Sequence, residues 1–114
     1  MEPTVEQKSF QFAIRIVRLY RYLRVSKKEF VLSKQLLRSG TSVGANIAEA
    51  QQAQSRADFA AKMNIALKET AETDYWMRLL HATEYLSDQE FQSLIRDCRE
   101  IGKMLTAIIK SARK

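Results

Sequence analysis

The stretch from Gln35 to Ala50, QLLRSGTSVGANIAEA, places three different demands on one helix. At a helical period the apolar residues of this helix fall on one side, as they do on an ordinary packed helix. They are Leu32, which precedes the stretch, and Leu36, Val43 and Ile47 within it. Beside this side, Gly40, Gly44 and Ala48 recur every four residues. Glycine inside a helix costs about 0.5 to 1 kcal/mol relative to alanine, so two glycines one turn apart indicate that another helix approaches closely.

A third line of the same helix is polar and recurs at steps of four and three residues, the spacing of a coiled-coil seam. Its members are Gln35, Ser39, Ser42, Asn46 and Glu49. A similar line follows in the next helix, where carboxylates lie among apolar residues: Ile65, Glu69, Glu72, Trp76 and Leu79. A buried carboxylate needs a partner, because leaving its charge unpaired is costly.

We therefore predict a polar seam between the two helices that has a structural role. The residues assigned to it are Gln35, Ser42, Asn46, Glu49, Glu69 and Glu72. Gln35, Arg38 and Asn46 are the plausible donors to the carboxylates, and Asn46 and Glu49 are expected to find partners on another helix. The alternative is a solvent-facing surface that is small and polar.

Good helix formers dominate the 114 residues, which include three glycines and one proline, so the composition indicates an all-α protein. Helix starts are marked by Ser or Thr with an acidic or amide residue three positions later; these pairs are Thr4–Gln7, Ser26–Glu29, Ser55–Asp58 and Ser87–Glu90. We predict one domain, 1–114, with helices at about 5–25, 27–53, 56–85 and 88–112. The short connections make sequential helices antiparallel neighbours, which is an up-down-up-down four-helix bundle.

The formal net charge of +6 belongs to the first half of the chain. Residues 1–57 carry ten Lys and Arg against four Asp and Glu, whereas residues 58–114 carry nine of each. An exposed basic region of this kind favours an anionic partner such as nucleic acid. The candidate nucleic-acid-binding residues lie on the first helix and beyond it: Arg15, Arg18, Arg21, Arg24, Lys27, Lys28, Lys34 and Arg38.

The four arginines of the first helix step by three residues and fan over about half of its circumference, with apolar residues among them. Three interpretations stay open. The face is a solvated basic surface whose arginine stems lie along scattered apolar residues; it is a subunit contact that buries Ile14, Tyr22 and Val25; or it binds phosphates with arginine and stacks bases on tyrosine.

The residue types required for catalysis or metal binding are scarce. A di-iron carboxylate bundle needs Glu-x-x-His on two helices, whereas His81 is the single histidine and Arg78 stands three residues before it. One histidine and one cysteine make no ordinary zinc site, and no phosphate loop or nucleophile elbow is present. We expect a protein that is not an enzyme and uses no cofactor or metal, with Cys98 in the core and His81 structural or at the surface.

The chain has no apolar N-terminal run of the signal-peptide type and no uncharged stretch long enough to span a membrane. We therefore expect a cytoplasmic protein without a membrane partner.

The runs QLLRSGTSVGANIAEA and SRADFAAKMNIALKETAETDYWMRLL resemble the bacterial four-helix bundle family named for reading frames in intervening sequences of 23S ribosomal RNA genes. The residues that carry the resemblance are Gln35, Arg38, Ser42, Asn46, Ile47, Ala48, Glu49, Ile65, Ala66, Glu69, Glu72 and Trp76. The resemblance implies assembly into a ring-shaped homopentamer. It also implies a relationship to the accessory proteins of diversity-generating retroelements, whose basic pentameric barrel binds nucleic acid and reverse transcriptase. It supplies no catalytic residues.

Two functions are consistent with these features. The first is an oligomeric protein that binds RNA or DNA through backbone electrostatics, for which five subunits of +6 would together carry +30. The second is a structural or scaffolding module that binds another protein, with the arginines serving solubility or subunit contacts.

Overall fold

The computed structural model describes residues 2–113, which form four helices and no strand. The helices are α1 (Val5–Val25), α2 (Leu32–Ala50), α3 (Arg56–Ala82) and α4 (Asp88–Ala112). The prediction of an all-α, four-helix protein is confirmed.

Helices α1, α3 and α4 begin where the capping pattern places them. Thr4 and Gln7 form a complete capping box, in which the Gln7 N–H donates to Thr4 Oγ1 over 3.1 Å and the Thr4 N–H donates to Gln7 Oε1 over 2.9 Å. Ser55 and Ser87 accept in the same way from the backbone N–H three residues later. These contacts satisfy N–H groups that the first helical turn leaves without a partner.

Helix α2 begins at Leu32 and not near residue 27, so the predicted capping box at Ser26 is wrong. Ser26 instead follows the end of α1, and its N–H donates to the Tyr22 carbonyl over 2.9 Å. Lys28 then adopts a left-handed backbone conformation, with φ of 55°. That conformation redirects the chain, and the residues up to Val31 are not helical.

Helix α3 ends at Ala82, a few residues before the predicted boundary. Glu84 has a φ of 70°, and the Tyr85 N–H donates to the Leu80 carbonyl over 2.8 Å. A left-handed residue just past the last turn, with a bond reaching back across that turn, is a common way for a helix to end.

The four helices pack side by side in a body of 45 × 23 × 23 Å, in which α1 and α3 each contact both α2 and α4. The core lies along the middle and is built from the apolar stripes that the periodicity predicted. Its largest fully buried hydrophobic side chains are Phe12, Ile16, Leu23, Leu36, Val43, Ile47, Met63, Met77, Leu80, Ile101 and Leu105.

Contacts between two neighbouring helices run in opposite order along them: residues near the end of one helix contact residues near the start of the next. Glu49, near the end of α2, pairs with Lys62 near the start of α3, whereas Arg38 pairs with Glu69 further along α3. The contacts between α3 and α4 follow the same order, since the Cys98 Sγ contacts the Thr70 carbonyl while residues 81 and 88 meet nearer the turn.

The glycine line of α2 faces α1. A Cβ atom added to Gly40 would lie 2.8 Å from Cγ2 of Ile16, and one added to Gly44 would lie 3.4 Å from the carbonyl oxygen of Ser9. Close approach of a neighbouring helix is therefore confirmed as the reason for these glycines, and the neighbour is α1.

Within residues 2–113, no helix is both long enough and apolar enough to cross a membrane.

Candidate nucleic-acid interface

The eight basic residues predicted to bind nucleic acid lie on α1, on the connection to α2 and on the first turns of α2. The structure divides them by what their side chains already contact. Two of them bind carboxylates of other helices, one is held between aromatic rings, and five extend into solvent.

Arg15 and Arg38 are the two that form salt bridges. Arg15 Nη1 lies 2.7 Å from Asp97 Oδ2 on α4. Arg38 bridges two α3 carboxylates, with 3.1 Å between its Nη1 and Glu69 Oε2 and a second, short contact to Glu72. These arginines hold α1 to α4 and α2 to α3, so part of their charge is already balanced within the chain.

Glu72 receives a second donor in addition to Arg38. Trp76 Nε1 donates to Glu72 Oε2 over 2.9 Å. The indole hydrogen bond, followed by the one from Arg38, lowers the pKa of the Glu72 carboxyl below its usual value.

Arg24 lies between two aromatic rings. Its Cζ atom is 5.4 Å from the centroid of the Tyr20 ring and 5.3 Å from that of the Phe30 ring. Its Nη1 also donates to the Tyr20 hydroxyl over 2.9 Å. A guanidinium over the face of an aromatic ring is attracted by the negative charge of that face, so Arg24 links α1 to the α1–α2 connection.

The remaining five cations carry the free positive charge of this surface. Their side chains are exposed, and none of them forms a salt bridge with any residue between 2 and 113: Arg18, Arg21, Lys27, Lys28 and Lys34. Lys27 lies over the ring of Tyr22, with its Nζ 6.0 Å from the centroid. These residues lie in the C-terminal half of α1, in the α1–α2 connection and at the start of α2, and Arg18 and Lys27 each lie beside Glu90 of α4.

Glu29 also lies in this region, but it does not form the capping box with Ser26 that the sequence pattern predicted. Its carboxylate accepts from the backbone N–H groups of Val31, Leu32 and Ser33, over 3.2, 3.1 and 2.6 Å. Burial by itself raises the pKa of Glu29, but the bonds from Ser33, Leu32 and Val31 outweigh it and hold the pKa below its usual value. Glu29 is therefore the acid that caps α2, and it forms no salt bridge with a cation among residues 2–113.

The polar seam between α2 and α3 is partly formed. Ser42, Asn46, Glu69 and Glu72 are half-buried, whereas Gln35 and Glu49 are exposed. Arg38 is the donor to both α3 carboxylates, and Lys62 Nζ lies 3.4 Å from Glu49 Oε1. These contacts join the two helices.

Asn46 does not make the contact with another helix that the sequence predicted. Its Nδ2 donates to the Ser42 carbonyl over 2.8 Å, and the Ser42 hydroxyl donates to the Arg38 carbonyl over 2.6 Å. Both bonds stay within α2. The side of the seam that carries Asn46 is therefore satisfied locally and faces outward.

Cys98 lies in the core and His81 packs against another side chain. Cys98 is buried, and burial raises the pKa of its thiol to about 12. The His81 ring stacks on Phe91 with 4.1 Å between ring centroids, and its Nε2 lies 2.5 Å from Asp88 Oδ1. No group of three or more potential metal ligands occurs among the residues that the structure describes.

A groove of about 450 Å³ lies between α1 and α2. It is lined by small residues of α2 and by residues of α1 that include one aromatic side chain; among them are Phe10, Ala13, Thr41, Gly44, Ala45 and Ala48. It carries no cluster of charged side chains, so the basic residues of the interface lie outside it.

The family model described as 23S rRNA-intervening sequence protein matches residues 1–107. The chain is similar to a crystal structure of a protein of unknown function from the S23 ribosomal protein family of Bacteroides thetaiotaomicron VPI-5482. The two are 59% identical with a TM-score of 0.93, and the match covers 94% of this chain and 99% of that one. No curated protein matches the chain.

Proposed function

Because this chain belongs to the 23S rRNA-intervening sequence protein family, we propose that it is a non-enzymatic, oligomeric helical-bundle protein of the cytoplasm that binds RNA or DNA through its basic surface. The observation that carries this proposal is the set of five exposed cations, free of salt bridges within residues 2–113, around the end of α1 and the start of α2. Exposed Lys and Arg side chains of this kind bind the phosphate groups of a nucleic-acid backbone.

The distribution of the other charges supports the same surface. The one acid of the α1–α2 connection, Glu29, is 8% exposed and is occupied by three backbone donors. On α3 and α4, by contrast, arginines meet acids directly, as Arg78 and Arg99 do at Asp74. The second half of the chain carries as many acids as basic residues, whereas the first half carries the whole excess of positive charge.

We propose that the helices form an antiparallel up-down-up-down bundle and that five copies assemble into a ring, as the family resemblance implies. The opposite order of contacts along neighbouring helices supports the first part. The second is supported by the outward side of the α2–α3 seam, where Asn46 bonds only within its own helix and Ile65 is 42% exposed. A half-apolar, half-polar surface of this kind is suited to a neighbouring subunit.

Absence of catalysis is part of the proposal. The residues best able to act as nucleophile and base are engaged elsewhere, since the Cys98 Sγ contacts the Thr70 carbonyl over 3.4 Å and His81 is stacked on Phe91. Cys98 also has a raised pKa, which keeps it in the less reactive thiol form.

The test is a salt titration of binding to a structured RNA, measured by fluorescence anisotropy. One variant, R18E/R21E/K34E, reverses three of the free cations. The matched control, K68E/K103E/K110E, reverses three exposed lysines of α3 and α4 and so makes the same change in net charge. We expect the control to bind nearly as well as the wild type, whereas the first variant loses most of its affinity and about three units of the slope of log K against log salt.

Failure of the wild type to bind at about 50 mM salt, where electrostatic binding is strong, would eliminate the proposal. Equal losses in both variants would show that total charge and not this surface is responsible. If R18E/R21E/K34E instead dissociates the oligomer, the arginines serve a subunit contact. A defined protein partner that is recovered after nuclease treatment, with no RNA or DNA binding, would favour a scaffolding role.

A further inference from the structure

Phe30 is an aromatic side chain that no helix buries. It lies in the α1–α2 connection, two residues before α2 begins, and 47% of it is exposed. One of its neighbours is the Arg24 guanidinium, which lies 5.3 Å from the ring centroid and is itself covered by Tyr20 on α1. The Arg24 guanidinium thus lies near both rings, and Phe30 is the more exposed ring of the two.

The backbone that carries Phe30 is held from both sides. The Glu29 N–H donates to the Leu23 carbonyl over 2.9 Å, which ties the connection to the end of α1. The Glu29 carboxylate binds the N–H groups of Val31, Leu32 and Ser33, which ties it to the start of α2. A side chain whose backbone is ordered before binding loses less freedom when a ligand stacks on it.

Exposed cations lie close to Phe30 along the chain. Lys28 and Lys34 are exposed on either side of it in the chain, and Arg21 lies one turn before Arg24 on α1. An aromatic platform among cations matches the two parts of an unpaired nucleotide, because the base stacks on the ring and the phosphates bind the cations. A duplex offers only the second of these contacts, since its bases are stacked on one another.

We propose that Phe30 is a stacking platform for an unpaired base of RNA, with Lys28 and Lys34 binding the adjacent phosphates. The inference rests on the proposed nucleic-acid-binding function and names the form of the ligand. RNA is the ligand because folded RNA presents unpaired bases in loops and bulges beside phosphate-dense helices. The protein therefore binds single-stranded or looped RNA in preference to a duplex of the same sequence.

The experiment compares wild type, Phe30→Ala and Phe30→Tyr for binding to a short RNA strand, the RNA duplex of that strand, and the DNA strand of the same sequence. Phe10→Ala is the matched control, because Phe10 is an exposed aromatic residue of α1 in the groove beside Ala48. We expect Phe30→Ala to weaken binding of the RNA strand about tenfold and to leave duplex binding unchanged. Phe30→Tyr and Phe10→Ala bind as the wild type does.

Several outcomes would overturn this inference. If the wild type binds the strand and the duplex, each with a strong salt dependence, but Phe30→Ala changes neither, the platform is wrong while the proposed function stands. Tighter binding of the DNA strand than of the RNA strand would overturn the assignment to RNA. A Phe30→Ala protein of lower mass in solution would place Phe30 in a subunit contact. A wild type that binds none of the three would refute this inference and the proposed function together.

Discussion

Of the three glycines, Gly40 leaves the least room for a side chain, because α1 passes close to α2 at this position. A Cβ atom there would lie 2.8 Å from Cγ2 and 2.9 Å from Cγ1 of Ile16, which is fully buried. Gly40→Ala should therefore force the helices apart and lower the free energy of unfolding by about 1 to 3 kcal/mol, the usual cost of overpacking a core. Urea unfolding followed by circular dichroism measures it.

Gly102 provides the control for this substitution. A Cβ atom at Gly102 would lie 3.6 Å from Oγ1 of Thr70, an ordinary contact. Since alanine is the better helix former by about 0.5 to 1 kcal/mol, Gly102→Ala should be neutral or stabilising. A Gly40→Ala protein as stable as Gly102→Ala would contradict the close approach of α1 and α2.

At the scale of an element, the start of α2 depends on one carboxylate. No side chain caps Val31, the residue before the helix, and Glu29 instead binds the N–H groups at its start. An anionic acceptor at a helix N-terminus is stabilising because it satisfies free donors and matches the helix dipole.

The pKa of Glu29 is lower in the folded protein than its usual value, which gives the sign of a pH effect. Its stabilising contribution is complete above the unfolded pKa of ~4.3 and is lost as the pH falls through the folded value. We expect Glu29→Gln to lower the free energy of unfolding by about 1 to 2 kcal/mol at neutral pH. The difference from the wild type should shrink as the pH falls below 4.3.

Urea unfolding at several pH values measures this difference. Glu2→Gln is the control, because Glu2 is exposed and precedes α1, and it should leave stability unchanged. A Glu29→Gln deficit that is the same at pH 3 and pH 7, flanking the ~4.3 of an ordinary glutamate, would show that charge on this side chain is not what caps α2.

At the scale of the whole molecule, the proposed ring predicts a particle of five chains of 13.2 kDa, a mass of about 66 kDa. Ile65 lies on the outward side of the α2–α3 seam, where a neighbouring subunit would cover it. Ile65→Asp should lower the mass measured by light scattering toward that of one chain, because a carboxylate buried without a partner is costly.

Gln92→Asp is the control for the assembly, since Gln92 is exposed on α4, outside the α2–α3 seam; it makes the same change in charge and should keep the mass of the wild type. Both variants should keep the helical circular dichroism signal. A mass of about 66 kDa that survives Ile65→Asp would place the subunit contact away from the seam.

Most of the fold could be predicted from the sequence, because the features that determine it are local. The apolar stripes of α1 and α4 follow from the helical repeat, and the Thr4–Gln7 capping box lies within one turn. The same local pattern at Ser26 was misleading. Lys28 adopts a left-handed conformation there, and the Glu29 carboxylate reaches forward to cap the following helix.

The sequence by itself determined which residues of this protein are basic, where three of its four helices begin, and which faces are apolar, since each of these depends on neighbours within a few positions. Only the tertiary structure decided which cations are available. Arg15 is paired with Asp97 and Arg38 with Glu69, while Arg24 is covered by the Phe30 ring. Such pairings depend on distances between residues far apart in the chain, and those distances exist only once the four helices have packed.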